Sequence, residues 1–350
     1  MKAITVKASR SYQVKIGSGL LADLDLEIRN VCSASKAAVI SDSNVWPLYG
    51  SEVISTLEKG GFSCVSFVIP AGESSKNGYV YLELLNFLAE NHLTRSDCMI
   101  ALGGGVVGDL TGFAAATYLR GIAYIQVPTS VLAAVDSTVG GKTAIDLPAG
   151  KNLAGAFYQP RLVLCDTNTL RTLPLDIFRD GCAEVIKYGV LYDPALFAHL
   201  QEYGLAFDRE SVIARCVELK RDVVMEDEFD TGARMKLNLG HTIGHGVEAN
   251  SNFTVSHGKA VAIGMAIVTR AAAALSICSQ ETAQAIISTL RFFQLPVTTG
   301  CSADDIYTSA LSDKKRSGGI VNLIVPERIG CCVIRPTPVD ALKTFIEAGL

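Results

Sequence analysis

The chain has 350 residues, 49% of them hydrophobic and 19% charged, with a formal net charge of −4. That length suits two domains with filled cores, and the composition excludes a disordered chain. Mild acidity without a Lys/Arg run argues against nucleic acid as a partner. No membrane span is expected either, because the most apolar stretch, 260–274, is short and carries Arg270.

In chain order, the first half alternates short apolar runs with helical patterns. The runs at 36–41, 64–69, 98–102, 124–127 and 162–165 are bounded by turn residues, with helical stretches such as 79–91 between them. Continuous apolar runs spaced by helices predict strands buried on both faces, hence a mainly parallel sheet between helical layers. Asp42 and Glu73 each follow such a run, as readers of a ribose or as plain turn and cap residues. After Leu102 comes Gly103-Gly104-Gly105-Val106-Val107-Gly108-Asp109, a G-x-G-x-x-G pattern opening a helix. Glycines there let the backbone approach a pyrophosphate, and the first N–H groups of the helix favour the anion. The acidic strand end expected about twenty residues later is missing, and Pro128-Thr129-Ser130 stands there instead. Asp136, Lys142, Lys151 and Asn152 follow among glycines and small residues. Lysines in that setting suggest ammonium and backbone groups around a bound anion, with a surface loop as the plainer alternative.

From about residue 174 helical periodicity takes over, at 176–191, 208–224, 233–249, 258–275 and 280–293. A strand pair at 320–325 and 330–334 and a last helix follow. The expected division is therefore an α/β domain over 1–173, Rossmann-like and nucleotide-binding, and a mainly helical domain over 174–350 that holds metal and substrate. A boundary of this kind is expected to form a ligand cleft. Three of the five histidines, His241, His245 and His257, fall in the second half within seventeen residues. His241 and His245 share one helix face, and His257 stands where a second helix can begin. Two helix-borne imidazoles and a carboxylate make a catalytic zinc shell with an open position. Glu184, in an otherwise apolar helical turn with Lys187, is the third ligand this reading selects, since a buried carboxylate needs a cation. Histidines hydrogen-bonded within helices, without metal, are the alternative. Lys220, Arg234 and Lys314-Lys315 add positive charge suited to a small, doubly anionic substrate. The ten cysteines show no CxxC spacing and read as reduced thiols of a cytoplasmic protein.

Taken together, these motifs resemble the 3-dehydroquinate synthase family of sugar phosphate cyclases, in its stand-alone bacterial form. The segments that carry the resemblance are the Gly103–Asp109 loop, Val127-Pro-Thr-Ser130, Asp136-Ser-Thr-Val-Gly-Gly-Lys142, Gly150-Lys-Asn152, Ala183-Glu184-Val-Ile-Lys187, Leu237-Asn-Leu-Gly-His241-Thr-Ile-Gly-His245, His257-Gly and Asp313-Lys-Lys315. They occur in family order over nearly the whole chain. The resemblance implies NAD and one divalent metal, zinc or cobalt, in a homodimer. It also implies cyclisation of a phosphorylated seven-carbon keto acid, by transient oxidation, phosphate elimination, re-reduction and aldol closure. It makes Glu184, His241 and His257 the metal ligands and His245 an acid/base residue beside Lys142, Lys187, Asp136 and Asn152. Substrate contacts carried over are Arg120, from across a dimer interface, with Lys151, Lys220, Arg234, Asn238 and one of Lys314 or Lys315. NAD contacts are Asp42, Asn44, Glu73, Lys76, Gly105, Val106, Val107, Gly108, Asp109, Thr129, Ser130, Lys142, Lys151, Thr169, Leu170, Arg171 and Thr172. The rival classes are another sugar phosphate cyclase, a metal-dependent polyol dehydrogenase similar to glycerol dehydrogenase, and a non-catalytic sensor that has lost ligand positions.

Overall fold

The computed structural model describes residues 1–251, 254–314 and 319–350, the side chains of 311–314 excepted. It divides into two compact units, Met1–Pro174 with Arg209–Phe229, and Leu175–Asp208 with Asp230–Leu350.

In the first unit the strands are β1 (Lys2–Lys7), β2 (Ser11–Gly17), β3 (Lys36–Asp42), β4 (Ser63–Ile69), β5 (Cys98–Gly103), β6 (Ala123–Pro128), β7 (Lys142–Leu147), β8 (Gly150–Phe157) and β9 (Leu162–Asp166). Seven of them form one sheet in the order β1-β2-β9-β6-β5-β3-β4. Only the β1–β2 pair is antiparallel; every other pairing in that sheet is parallel. The predicted parallel sheet is thus present, and β5, β6 and β9 are buried at every position, as continuous apolar runs require. Helices α1 (Leu24–Arg29) and α2 (Trp46–Lys59) pack Leu24, Ile28, Val53 and Leu57 onto one face, against Val39, Ile100 and Ile125. Helices α3 (Gly78–Glu90) and α4 (Gly105–Thr117) pack Leu84, Leu88, Val107 and Leu110 onto the other, against Ile40, Met99 and Tyr124. The order reverses at β3, which pairs with β4 on one side and β5 on the other. Such a reversal opens a crevice beyond the strand ends, here flanked by Asp42 and Gly103. Two hairpins escaped the sequence reading. β1–β2 alternates buried and exposed residues over a short, lysine-rich span, and β7–β8 is broken by glycines.

The second unit opens with α5 (Leu175–Tyr192) and α6 (Pro194–Tyr203). The next helix, α7 (Arg209–Glu226), lies with the first unit, packed on β1, β2 and the helical turn Ala133–Ser137. The second unit resumes with α8 (His241–Asn250), α9 (His257–Ala274), α10 (Gln280–Phe292) and α11 (Ala303–Lys314). It closes with the antiparallel hairpin β10 (Ile320–Arg328) and β11 (Cys331–Pro338), then α12 (Val339–Glu347). The single helix expected over 233–249 is divided into a 3-10 turn, Ala233–Asn238, and α8. Gly240 makes the break with φ +78°, and a Cβ there would lie 2.6 Å from the Val261 carbonyl oxygen. A Cβ on Gly264 would sit 1.9 Å from the Gly240 carbonyl, so α8 and α9 meet backbone to backbone. Among the described residues no helix is long and apolar enough to cross a membrane. No disulfide joins any of the ten cysteines.

Candidate active site

Within the second unit, three helices bring the histidines and Glu184 together. His241 and His245 lie on one face of α8 with ring centroids 5.6 Å apart, and the His257 ring at the start of α9 is 5.2 Å from that of His241. Glu184 rises from the middle of α5 and is 1% exposed. Its Oε1 stands 3.4 Å from His241 Nε2 and 3.2 Å from His257 Nε2, while Oε2 meets the buried Lys187 ammonium one turn along. His241 Nδ1 is 3.1 Å from the Leu239 carbonyl oxygen, which only accepts, so Nδ1 donates there and Nε2 is the ring nitrogen that faces Glu184.

The start of α9 is held by a residue of another helix. Asp180, one turn before Glu184 on α5, accepts from the backbone N–H of Gly258 at 3.2 Å and of Lys259 at 2.9 Å, and from the Ser256 hydroxyl. Gly258 permits this docking, since a Cβ there would lie 1.9 Å from the Asp180 carbonyl oxygen. One α5 turn therefore sets both Glu184 and the backbone that carries His257. Burial alone would raise the Glu184 carboxyl, but Lys187, His241 and His257 outweigh it and hold it well below the usual range. Burial alone would lower the His257 imidazole, yet Glu184 and Glu248 outweigh it and bring it to about 10.

These residues fit one divalent cation. The three donor atoms lie within 4.8 Å of one another. A tetrahedral ion with arms of about 2.0–2.1 Å has edges of about 3.3–3.4 Å, and the two His–Glu separations are 3.4 and 3.2 Å. Two imidazoles and a carboxylate leave a fourth position open. The His245 ring is exposed, with its centroid 6.2 Å from that of His257.

In the first unit a different cluster gathers residues scattered over 73–152. Buried Lys76 places Nζ 2.7 Å from Asp109 Oδ2 and 3.8 Å from Glu73, and donates to Asn152 Oδ1 at 2.5 Å. Lys151 lies 3.7 Å from Glu73. Asn152 sits on β8 at φ +56°, its N–H donating to Asp146, a residue the sequence reading passes over. Burial would lower Lys76, but Asp109 and Glu73 raise it above its ordinary value; burial raises Asp109 against the opposing pull of Lys76. α4 begins beside this cluster behind Gly104, with no side-chain cap and no acid in its first turn. An uncapped helix start suits a pyrophosphate. A Cβ on Gly103 would approach Val107 Cβ to 2.8 Å, and one on Gly112 would approach Thr143 to 2.4 Å, so these glycines also seat α4 on its neighbours.

The remaining candidates fall in several places. Lys220 on α7 reaches Asp136, 3.0 Å from its carboxylate and 2.7 Å from its carbonyl oxygen. Asp42 caps the turn after β3, accepting from the N–H of Asn44 and of Val45. Thr129 N–H donates to the Gly103 carbonyl, and Ser130 caps the turn that leads to Asp136. Thr169 and Thr172 bond within the turn after β9, with Leu170 buried and Arg171 exposed between them. Lys142 opens β7 on the surface, and Arg120 is exposed at φ +68° between Leu119 at +51° and Gly121 at +118°. Arg234 is buried in the 3-10 turn of the second unit, whereas Asn238 at its end is exposed. Lys315, and the side chain of Lys314, lie outside the described residues.

Comparison with known proteins follows the whole chain. Residues 66–180 match the family model described as 3-dehydroquinate synthase N-terminal, and residues 181–316 match 3-dehydroquinate synthase C-terminal. A 3-dehydroquinate synthase of Enterococcus faecalis is 42% identical over 358 residues, covering 100% of each chain. The structure of 2-epi-5-epi-valiolone synthase from Streptomyces hygroscopicus, with NAD+ and Zn2+ bound, superposes with a TM-score of 0.89 at 26% identity, covering 99% of this chain and 97% of that one. A 2-deoxy-scyllo-inosose synthase complexed with carbaglucose-6-phosphate, NAD+ and Co2+ shares the fold, with a TM-score of 0.90 at 24% identity over 100% of both chains. With its full length matched and both halves of the family pattern present in order, the chain belongs to the 3-dehydroquinate synthase family.

Proposed function

We propose that this chain converts 3-deoxy-D-arabino-heptulosonate 7-phosphate to 3-dehydroquinate and phosphate, using NAD and one divalent cation, zinc or cobalt. The observation that carries the reading is the convergence of Glu184, His241 and His257 in a chain 42% identical, end to end, to a relative of that name. When bound, NAD supplies a reversible hydride acceptor and the cation a Lewis acid. Glu184 Oε1, His241 Nε2 and His257 Nε2 hold the cation, and exposed His245 exchanges a proton with the substrate. In the second unit Lys187, Arg234, Asn238 and one of Lys314 or Lys315 bind the anionic substrate. In the first unit Asp136, Lys142, Lys151, Asn152 and Lys220 do so.

The nucleotide lies over the Gly105–Asp109 helix start, with Asp42, Asn44, Glu73, Lys76, Thr129, Ser130 and the 169–172 turn around it. The uncapped start of α4 and the strand-order reversal at β3 support this. The first unit is thus the nucleotide unit and the second the metal unit. The chain works as a cytoplasmic homodimer in which Arg120 reaches the partner's substrate. Positive φ at two successive non-glycine residues, Leu119 and the exposed Arg120, supports that role, since strain of this kind is kept where a side chain must be aimed. Ten cysteines without a disulfide among them support a reducing compartment.

The test is to incubate the metal-loaded enzyme with NAD and the substrate, following phosphate and NADH together. One phosphate per substrate consumed, with NAD acting catalytically and no lasting NADH absorbance, is expected. Stoichiometric NADH from glycerol or another plain polyol, with no phosphate released, overturns the reading in favour of a dehydrogenase.

A further inference from the structure

His257 differs from His241 in having a carboxylate at each ring nitrogen. Its Nε2 faces Glu184 Oε1 at 3.2 Å, and its Nδ1 faces Glu248 Oε2 at 3.5 Å. Glu248 lies on α8, seven residues after His241 and three after His245, so it continues the face that carries both histidines. Its side chain is 5% exposed, an environment in which a carboxylate is kept only with partners.

We propose that Glu248 is a positioning residue for the metal ligand His257. A neutral imidazole has one N–H and one lone pair, and a cation takes only the lone pair. A carboxylate at Nδ1 keeps the proton on that nitrogen, turns the Nε2 lone pair toward Glu184, and makes the ring a stronger donor. The Leu239 carbonyl does the same for His241 Nδ1 at 3.1 Å. The two histidine ligands are therefore oriented unequally, one by a neutral carbonyl and one by a buried charge. Glu248 does not itself ligate the same ion, because the two nitrogens of one imidazole ring diverge and the Glu248 oxygen lies on the Nδ1 side. His245, Glu248 and His257 also form a convergent set, which makes Glu248 as ligand of a second ion the competing assignment.

This inference rests on the metal reading above, and the experiment separates the two. Full-length protein is stripped of metal, then titrated with Zn2+ against a chelator, with the visible spectrum of the Co2+ form recorded alongside. Wild type, Glu248→Gln, Glu248→Ala and Glu184→Ala are compared. Wild type is expected to bind one ion per chain, and Glu184→Ala none. Glu248→Ala should bind one ion about 10–100-fold more weakly, with a shifted Co2+ spectrum. Glu248→Gln, whose amide oxygen still accepts from Nδ1–H, should recover most of that affinity. A purely structural Glu248 would lower the unfolding midpoint and leave affinity and spectrum as in wild type, which overturns the inference. Two ions in wild type and one in Glu248→Ala overturn it as well, making Glu248 a ligand. If wild type binds no ion, or Glu184→Ala keeps it, the metal reading itself fails.

Discussion

The two charged clusters use similar materials to different ends. Around Lys76 the ions answer one another: Glu73 and Asp109 face Lys76, and Glu73 also faces Lys151, across 2.7–3.8 Å. Around Glu184 the donors converge instead. Two imidazole nitrogens point at one carboxylate oxygen, a second buried carboxylate stands behind His257, and Lys187 is the one lysine whose ammonium meets Glu184 among the described residues. In the first arrangement each of these carboxylates faces a lysine. In the second, two carboxylates flank one imidazole ring, and the raised pKa of His257 is their joint pull expressed on a proton, where a cation can take the proton's place. A cluster of ionisable side chains thus identifies a metal site by which atoms converge, not by how many charges it holds.

The largest expected effect tests that contrast directly. Glu184→Ala removes a ligand and the carboxylate that meets the Lys187 ammonium, a pair in which each side chain is 1% exposed. Breaking a buried pair this way costs about 3–5 kcal/mol, read as a fall in urea unfolding free energy, and metal content after dialysis should drop to background. Asp109→Ala, in the other cluster, should leave the metal content at the wild-type level while weakening NAD binding. Metal lost from the Asp109 variant and kept in the Glu184 variant would invert the comparison.

The pH dependence of the metal-free chain sharpens it. His257 rises from an ordinary 6.5 to about 10 in the folded state. A raised folded pKa contributes stability that is fully present below the unfolded value and disappears as pH climbs through the folded one. Stability of the stripped protein should therefore decline between about pH 7 and 10, and the decline should be shallower in His257→Ala. Urea midpoints across that window check it. A metal-free wild type as stable at pH 10 as at pH 7 would show that the second cluster is not waiting for a cation.

A smaller effect concerns how the second cluster is assembled. Gly264→Ala would place a Cβ 1.9 Å from the Gly240 carbonyl oxygen. Forcing α8 from α9 should cost about 1–3 kcal/mol, and should weaken metal binding because His241 and His257 ride on the two helices. An unchanged metal affinity with lowered stability would show that the ligands tolerate that shift.

These glycines mark what the sequence made legible and what it did not. Histidine spacing alone placed His241 and His245 on one face and His257 at the head of a second helix, because helical geometry is local. The parallel sheet was legible for a similar reason, since β5, β6 and β9 are apolar throughout. What stayed hidden depends on partners distant in the chain. The anchor of α9 is Asp180, 78 residues before Gly258, while Ser256 occupies the usual cap position without making the cap bond. Glu248 shows its role only once His257 is folded against it. Lys220 reads as one more cation on a helix until α7 is found beside Asp136, 84 residues earlier. Gly240, Gly244 and Gly264 pass for flexible positions, yet they are where two backbones touch.

The smallest expected effect is at Glu73, and it tests the first cluster's self-sufficiency. Its side chain is 40% exposed, 3.8 Å from Lys76 and 3.7 Å from Lys151. Ion pairs this exposed contribute about 0–1 kcal/mol, less as salt rises. Asp109 and Asn152 still hold Lys76 when Glu73 is gone. Glu73→Ala should therefore shift the urea midpoint little at low ionic strength, and not measurably at high. NAD binding is the sensitive readout, because a lost charge-assisted hydrogen bond of about 1.5–3 kcal/mol weakens affinity by about 10–150-fold. Calorimetric titration with NAD beside urea unfolding separates the two quantities. Stability that collapses with Glu73 would mean that the first cluster is as interdependent as the second. Unchanged NAD affinity would move Glu73 from the nucleotide site to an ordinary turn.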